Sequence, residues 1–383
     1  MTRYRFDQIA ENSTAKKKPE ESDRDRHVGL EHLDPGTLEV TRWGAEVTPK
    51  GDKLLMKKGD VLFGRRRAYQ KKVGIAPFDG IFSAHGMVLR PKADVVDPMF
   101  FPFFISSDIF LDEAIRVSVG SLSPTANWKD LRTLEFDLPS PGKQRELAGI
   151  LSEAESLKGH YRKMLTTCDD VVKSQFVEMF GGPDPTESDC PPVTIGELAA
   201  DIRYGTSKKA SDSGEFKYLR MNNMTDDGRL DLSDLKYIDL SGAELENAKV
   251  VRGDLLFNRT NSREKVGKTC VFNKNEPMVI AGYIVRVRFD DRVEPGYVSA
   301  FLNSNYGKSL LRKMAKGAVG QANISAKEMA KIELPLPPIE LQRSFLDFAA
   351  SVDKSKFAVQ QALDKLNATT KKILNQELGL GDV

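Results

Sequence analysis

Apolar residues recur at steps of three and four positions between Gln144 and Met179. This spacing places them on one face of an α-helix, in the pattern of a helix that packs along another helix. The predicted packing face holds Leu147, Ile150, Ala154, Leu157, Tyr161, Met164, Cys168 and Val171.

The same pattern returns 198 positions later, near the C-terminus. Its residues are Phe345, Phe348, Val352, Ser355, Val359, Ala362, Leu366 and Thr369. Equal length and phase favour two helices that pack on each other, although each helix could instead pack onto its own domain. Since Ser355 and Thr369 are polar, neighbouring residues are expected to strengthen the contact: Leu151, Leu165, Val172, Leu346, Leu363 and Leu374.

The segments that precede the two helices also repeat. Arg5 to Ala10 resembles Thr194 to Ala199, Lys58 to Arg65 resembles Arg252 to Arg259, and Ala126 to Pro141 resembles Ala322 to Pro337. The order of the segments is the same in both halves. The sequence therefore predicts that a unit of one domain and one helix has been duplicated.

Each domain is predicted to mix strands and helices. A Gly-Asp pair followed by an apolar triplet is typical of a turn that leads into a buried strand. Further strands are predicted in 73–76, 81–89, 266–272 and 284–289, and helices in 98–115 and 295–314. The fold class is α+β, with two similar domains separated by two long helices in an antiparallel intramolecular coiled coil. The predicted bounds are 1–141 for the first domain, 142–180 for the first helix, 181–192 for a linker, 193–338 for the second domain and 339–379 for the second helix.

Connectivity predicts the direction of the two helices. The first helix carries the chain away from the first domain, so a second helix that packs back along it is antiparallel, with one domain at either end. A helix from Gln144 to Met179 is about 54 Å long. Because B-DNA advances about 34 Å per turn, the two domains are expected to lie about 10 to 15 base pairs apart on DNA.

Composition fits a soluble protein in a reducing compartment. Of 383 residues, 40% are hydrophobic and 29% charged, and the net charge of +2 means that any basic surface is local. The three cysteines lack metal-binding spacing. The N-terminus lacks the apolar run of a signal peptide, and the most apolar stretch, Met99 to Ile105, is short and contains Pro102. We therefore expect a cytoplasmic protein without a membrane span.

Basic and amide side chains follow the Gly-Asp strand in both halves. The candidate DNA-binding residues are Arg65, Arg66, Arg67, Tyr69, Gln70, Lys71 and Lys72 in the first half, and Arg259, Thr260, Asn261, Ser262, Arg263, Lys265 and Lys268 in the second. Weaker candidates are Lys208, Lys209, Arg220 and Asn222. Arginine can pair with guanine, asparagine and glutamine with adenine, and lysine with phosphate. A solvated basic loop is the alternative for either half alone, but recurrence at the same place favours DNA binding.

Catalytic motifs are missing from the sequence. Val266 to Thr269 ends like a phosphate-binding loop, but Ser262 stands where the earlier glycine is required. There is no Asn-Pro-Pro-aromatic run of an amino-directed methyltransferase, and the four histidines show no metal-ligand pattern. We expect a chain without its own catalytic residues, cofactor or metal.

The repeated unit resembles the specificity subunit of Type I restriction–modification enzymes. The second half carries the resemblance most clearly, in Gly253 to Thr260 with Val266 to Thr269, in Gly320 to Ser325, and in Leu334 to Arg343. The first half keeps the order of these segments but departs from them at Arg65 to Arg67 and at Ser123 to Trp128.

The resemblance implies two target-recognition domains, each reading one half of a bipartite, asymmetric sequence in double-stranded DNA. The helices would set the spacer and dock two methyltransferase subunits, which bring S-adenosylmethionine and methylate adenine at N6. The resemblance leaves open whether ATP-dependent restriction subunits join the complex. The base contacts cannot be transferred, because the recognition loops vary within the family.

Two other functions remain as alternatives. A specificity component of a related modification-only or phage-defence system could have the same sequence features. A duplicated scaffold that binds only protein would show no sequence-dependent DNA binding. An enzyme fused to a coiled coil is disfavoured by the missing motifs.

Overall fold

The computed structural model describes residues 1–181, 188, 190–317 and 322–379. Most of the predicted linker at 181–192, and Gly320 and Gln321 of the resembling segment, lie outside the described residues. The chain forms two compact units. The first comprises Met1–Leu165 and Phe357–Val383, and the second comprises Thr166–Lys356. Each unit therefore contains one domain and one end of both long helices.

The first domain contains ten strands and four short helices within the described residues. The strands are β1 (Thr2–Arg5), β2 (Ala10–Ser13), β3 (Lys16–Lys17), β4 (His27–Val28), β5 (Lys53–Met56), β6 (Val61–Phe63), β7 (Val73–Ile75), β8 (Gly80–Phe82), β9 (Met87–Pro91) and β10 (Glu135–Leu138). The helices are α1 (Phe6–Ile9), α2 (Phe101–Ser106), α3 (Asp108–Arg116) and α4 (Trp128–Leu131), and the first long helix, α5, is Pro141–Phe180.

The second domain repeats this order. Its strands are β11 (Pro192–Thr194), β12 (Ala199–Tyr204), β13 (Phe216–Leu219), β14 (Lys236–Ile238), β15 (Lys249–Val250), β16 (Leu255–Asn258), β17 (Thr260–Asn261), β18 (Thr269–Val271), β19 (Met278–Ile280), β20 (Ile284–Phe289), β21 (Ala322–Asn323) and β22 (Glu333–Pro335). Its helices are α6 (Ile195–Leu198), α7 (Gly242–Ala248), α8 (Pro295–Asn303), α9 (Asn305–Met314) and α10 (Ala326–Met329), and the second long helix, α11, is Ile339–Glu377.

Sheet topology confirms the duplication. The strand order β2-β9-β6-β7 in the first domain matches β12-β20-β16-β18 in the second. A second sheet contains β5-β8-β4 in one domain and β15-β19-β13 in the other, and the last pair of each is parallel. The first and last strands of each domain also pair, β1 with β10 and β11 with β22. Both domains are α+β, as the sequence predicts.

Serine side chains divide two helices that the sequence predicts as continuous. The Ser107 hydroxyl accepts a hydrogen bond from the Phe110 N–H and starts α3, and the Ser304 hydroxyl accepts one from the Gly307 N–H and starts α9. A serine at this position satisfies an N–H group that has no partner within the helix. Each domain therefore has a pair of short helices where one was expected.

The repeated Gly-Asp pair is a structural turn. The Asp60 carboxylate accepts the Lys57 N–H (2.8 Å) and binds Arg90 of β9 through two hydrogen bonds (2.8 and 2.9 Å). In the second domain the buried Asp254 accepts the Val251 N–H (2.9 Å) and binds Arg288 of β20 in the same way. The preceding glycines, Gly59 and Gly253, have φ angles of 89° and 97°, which favour glycine. The motif thus holds the central strand to its neighbour.

A buried glutamine attaches each long helix to its domain. Gln144 donates to the Pro139 carbonyl (2.9 Å) and accepts the Asp97 N–H (2.7 Å). Gln342 donates to the Pro337 carbonyl (2.8 Å) and accepts the Glu294 N–H (2.8 Å). Each side chain joins the Leu-Pro-x-Pro segment to the loop before the short helix pair. The angle between domain and helix is therefore fixed by hydrogen bonds as well as by proline.

The two long helices pack antiparallel in both units. In the first unit, Leu147 and Leu151 of α5 share the domain core with Leu374 of α11 and with Leu378, which follows α11. In the second unit, aromatic rings from the end of α5 and the start of α11 pack against α8 of the domain. The ring centroids lie 4.9 Å apart for Phe176–Phe180, 5.4 Å for Phe176–Phe345 and 5.0 Å for Phe180–Tyr297. The predicted intramolecular pairing of the helices is thus confirmed.

Every second residue of the packing face predicted for α5 is exposed, and the residue that follows it in the chain is buried or half-buried instead. Ile150, Leu157 and Met164, with exposed fractions of 46%, 41% and 48%, face away from the contact, as does Val171 at 42%. Buried or half-buried positions of α5 include Leu147, Leu151, Ala154, Lys158, Tyr161, Leu165, Cys168 and Val172. Those of α11 include Phe345, Ala349, Val352, Lys356, Val359, Leu363, Leu366 and Thr370. In α11 the predicted Ser355 and Thr369 are exposed, whereas the predicted Phe348 and Ala362 are half-buried, so the shift is partial in this helix.

Polar residues in the contact explain the error. Lys158 is 8% exposed and donates to Thr370 (2.8 Å), and Lys356, 198 positions later, donates to Asp169. Burial lowers the pKa of Lys158. Hydrophobicity alone selects the apolar residues next to these lysines, whereas the structure buries the lysine stems and pairs their ammonium groups.

We predict that Gln342→Ala lowers the free energy of unfolding by about 2 to 4 kcal/mol, because the Glu294 N–H and the Pro337 carbonyl lose their buried partner. Urea denaturation of the whole chain measures this change. The matched control is Gln360→Ala on the exposed side of α11, where Gln360 bonds only Asp364 among the described residues. Equal effects of the two substitutions would contradict the role assigned to Gln342.

Candidate nucleic-acid interface

In the first domain the basic loop leaves β6 and is held at both sides by backbone hydrogen bonds. The Arg65 carbonyl accepts the Ala126 N–H (3.0 Å), and the Arg67 N–H donates to the Pro124 carbonyl (2.6 Å). Arg66 forms an antiparallel bridge with Thr125. The loop is therefore one side of a small two-stranded structure whose other side is the segment before α4.

Two residues of this loop have an unusual backbone conformation. Among the described residues, Arg67 (φ 56°) and Lys71 (φ 51°) are the non-glycine residues with a left-handed backbone. They flank a single 3-10 turn, Ala68–Gln70, which exposes Tyr69. Such conformations cost free energy, so they persist only where surrounding contacts impose them. They cluster at functional sites.

Two arginines of the loop contact a histidine and a serine. Arg66 Nη1 lies 3.3 Å from His85 Nε2, and Arg67 Nε donates to Ser123 Oγ (3.4 Å). Burial, together with Arg66 and Arg65, lowers the pKa of His85, so the ring is neutral at pH 7 and can accept from Arg66. Among the described residues, the buried Nε of Arg65 has no hydrogen-bond partner.

The two lysines that follow have internal partners. Lys71 binds Asp108 (2.9 Å) and Asp112 (2.8 Å) of α3. Burial acts to lower the pKa of Lys71, but these carboxylates outweigh it and raise the pKa. Lys72 donates to the Leu30 carbonyl (2.6 Å). Both ammonium groups therefore have partners within the domain.

The second domain repeats the arrangement after β16. The Arg259 carbonyl accepts the Ile324 N–H (2.9 Å), and β17 pairs with β21. Thr260 Oγ1 donates to the Asn323 side chain (3.0 Å). Because Ala126 bonds Arg65 where Ile324 bonds Arg259, Ala126 corresponds to Ile324, and the sequence alignment of Ala126 with Ala322 is out of register by two residues.

Arg259 makes a cation–π contact. Its guanidinium carbon lies over the Tyr204 ring, 5.0 Å from the ring centre. As in the first domain, its buried Nε has no hydrogen-bond partner among the described residues. The attraction between the cation and the ring restricts the position of the guanidinium.

The remaining candidates of the second domain differ in how exposed they are to solvent. Arg263 and Lys265 are exposed, and Asn261 and Ser262 are half-buried in the loop. Lys268 instead binds Asp226 (2.9 Å) and the Met224 carbonyl (3.2 Å), so it supports the domain.

The weaker candidates lie beside acidic residues. Arg220 and Asn222 both bind Asp234 (2.7 and 3.1 Å), and Lys208 pairs with Glu244 (2.6 Å). Lys209 is exposed. The ion pairs reduce the positive charge that Arg220 and Lys208 present to a ligand.

Sequence analysis missed four residues at these surfaces: His85, Ser123, Tyr204 and Asn323. His85 and Tyr204 come from distant strands and loops, so only the folded chain brings them to the arginines. Ser123 and Asn323 lie in the repeated segment before α4 and α10, and pairing of that segment with the basic loop would have found them.

The surfaces offer guanidinium groups, amides and hydroxyls, which recognise phosphates and base edges. The part of the chain that the structure describes contains no group of three or more residues able to hold a metal ion. It also contains no helix long and apolar enough to cross a membrane.

Comparison with known proteins supports this interpretation. The family model for the Type I restriction modification DNA specificity domain matches residues 7–160 and 188–376. The Type I restriction enzyme EcoKI specificity subunit of Escherichia coli K12 is 24% identical over 353 residues, which cover 86% of this chain and 74% of that protein. The MjaVIII specificity subunit of Methanocaldococcus jannaschii is 21% identical over 316 residues, covering 77% and 73%.

Solved structures share the fold. A chain from a study of complex assembly and conformational transition of the type I R-M system aligns with a TM-score of 0.57 at 19% identity, covering 98% of this chain and 96% of that one. The S subunit of a Type-I restriction-modification system from M. genitalium aligns with a TM-score of 0.53 at 13% identity, covering 100% and 96%.

The family model covers most of the chain, in two copies that coincide with the two structural repeats. Members of the family give a restriction–modification complex its DNA specificity, and catalysis lies in partner subunits. The chain belongs to the family of Type I restriction–modification DNA specificity subunits.

Proposed function

We propose that each domain reads one half of a bipartite, asymmetric DNA target through the loop after its Gly-Asp strand. The observation that carries the proposal is the repeated arginine: Arg65 and Arg259 follow the Gly-Asp strand at equivalent positions, and the backbone carbonyl of each accepts an N–H from the segment at the next short helix. Both residues are half-buried, so each side chain is partly accessible, and a guanidinium can donate to a guanine edge or to a phosphate.

The two reading surfaces differ chemically, which suits an asymmetric target. The first combines Arg65, Arg66 and Arg67 with the neutral His85. The second combines Arg259 on Tyr204 with the amides of Asn261 and Asn323. Arginine favours guanine and asparagine favours adenine in the major groove, so the halves are expected to have different sequences.

The long helices are proposed to set the spacer between the half-sites. At about 1.5 Å per residue, α5 and α11 are each roughly 60 Å long. Both are attached to their domains through buried glutamines, and within each unit the two helices pack antiparallel. A spacer made of paired helices resists changes of length, so one number of base pairs between the half-sites is expected.

The same helices are proposed to dock methyltransferase subunits. Ile150, Leu157, Met164 and Val171 form an exposed apolar stripe at heptad spacing on α5. An apolar stripe that the second helix leaves uncovered is typical of a protein interface. Two partner subunits would supply the catalytic residues and S-adenosylmethionine for methylation of adenine at N6, and ATP-dependent restriction subunits could join the same complex.

A test of half-site reading uses Arg259→Ala and Arg65→Ala in the complex with the methyltransferase. Each substitution should cost about 1 to 3 kcal/mol of discrimination, or roughly 10- to 100-fold, in its own half-site, because one bidentate base contact is lost. Methylation rates on duplexes changed in one half-site measure this. The matched control is Arg252→Ala, at the opposite end of the same strand, where Arg252 bonds Asn275. Relaxation of the same half-site by both variants would contradict the proposal.

A test of docking uses Leu157→Glu in the apolar stripe. Burying a leucine in an interface contributes about 1.5 to 3 kcal/mol, and a buried carboxylate adds a further cost, so co-purification with the methyltransferase should fall at least about tenfold. Ser156→Glu is the control, since Ser156 is exposed on the other side of α5 from the helix contact. If Leu157→Glu keeps full partner binding at matched expression, the stripe is not the interface.

A further inference from the structure

Leu122 is an apolar side chain held away from the protein surface. It is 91% exposed, and Val119 in the same loop is 61% exposed. Serines stand on either side, at positions 121 and 123. A single exposed leucine is ordinary on a protein surface. Leu122 differs in two respects: hydrogen bonds close the loop that carries it, and that loop is paired with the basic loop.

The loop that carries Leu122 is closed at its base. Val119 and Thr125 exchange two backbone hydrogen bonds (3.1 and 3.0 Å). Thr125 Oγ1 also donates to the Ser123 carbonyl (3.0 Å), and Gly120 turns the chain with a φ angle of 115°. These bonds restrict the backbone on both sides of Leu122.

The closed loop is also the strand-like partner of the basic loop. Arg66 bridges Thr125, and Arg67 bonds both the Pro124 carbonyl (2.6 Å) and Ser123 Oγ (3.4 Å). The loop that carries Leu122 is therefore bonded, next to that residue, to Arg66 and Arg67 of the basic loop. Cations at its base favour a polyanionic partner over an apolar protein surface.

We propose that Leu122 inserts between two base pairs in the half-site read by the first domain and unstacks them. This inference rests on the proposed reading of DNA by that domain. A duplex offers a leucine few apolar places, and the interior of the base stack is the largest of them. Leucine is among the side chains that act as wedges between base steps, while neighbouring arginines and hydroxyls hold the phosphates on either side.

The wedge would add indirect readout to the direct contacts of the arginines. Pyrimidine–purine steps unstack at the lowest cost, so the protein would favour such a step where Leu122 enters. Specificity at that step would arise without a hydrogen bond to either base. Arg66 and Arg67 would then determine the base step at which Leu122 inserts.

The test uses the assembled complex of the native chain with its methyltransferase and a duplex that carries its methylated target. 2-Aminopurine, whose fluorescence rises when it leaves the base stack, replaces one base at a time through the first half-site. The adenine that is methylated is left unchanged, because the enzyme extrudes that base itself. The variants are Leu122→Ala and Leu122→Met, with Val119→Ala as the matched apolar control in the same loop.

We expect a several-fold rise in fluorescence at one step with the native chain, Leu122→Met and Val119→Ala, and none with Leu122→Ala. Affinity for the target should fall about tenfold with Leu122→Ala alone, because the apolar contact is lost. Since Leu122 is exposed, the variant should fold as the native chain does, and an unchanged urea midpoint checks this.

A native complex that methylates one bipartite target without any rise in the first half-site would overturn the wedge and leave the proposed function standing. Loss of a protein partner by Leu122→Ala, with unchanged DNA affinity and fluorescence, would also overturn it. A native complex that binds no specific sequence would overturn both proposals.

Discussion

The antiparallel contact between α5 and α11 is the interaction on which each domain depends. In the first unit the start of α5 and the end of α11 contribute Leu147, Leu151 and Leu374 to the domain core. In the second, Phe176, Phe180 and Phe345 do the same. Because both helices enter both cores, neither domain is complete without a segment from far along the chain. Each unit is thus completed by segments of both helices.

The contact combines apolar ends with polar residues. Leucines of the two helices are buried in the first domain core, and aromatic rings in the second. Lys158 and Lys356 occupy equivalent positions along the helices and bond Thr370 and Asp169. Buried charges add little stability but penalise other registers. A slip by one residue would bring the apolar stripe of Ile150, Leu157 and Met164 into the contact and leave both lysines without their partners. The polar pairs therefore specify which face of α5 remains outside.

Sequence reasoning could predict the duplication, the fold class and the long helices, because these depend on periodicity and on segments that recur in order. It could not predict the face of the helices, since the hydrophobicity of Leu157 exceeds that of Lys158 whichever of them is buried. It placed the candidate DNA-binding loops after the Gly-Asp strands, but it could not separate Arg259 from Lys268. That distinction depends on Tyr204 and Asp226, which only the folded chain brings near. The Gly-Asp pair itself serves the sheet, through Arg90 and Arg288.

The central claim is that two arginine loops on one helical spacer direct methylation to a single bipartite sequence. The most direct measurement maps N6-methyladenine across the genome of cells that express the methyltransferase with the native chain, with a chain lengthened by seven residues in each long helix, or without the chain. We predict one bipartite motif with the native chain, the same half-sites with an altered or lost spacer after lengthening, and no such motif without it. A methylome that is identical in all three would contradict the account.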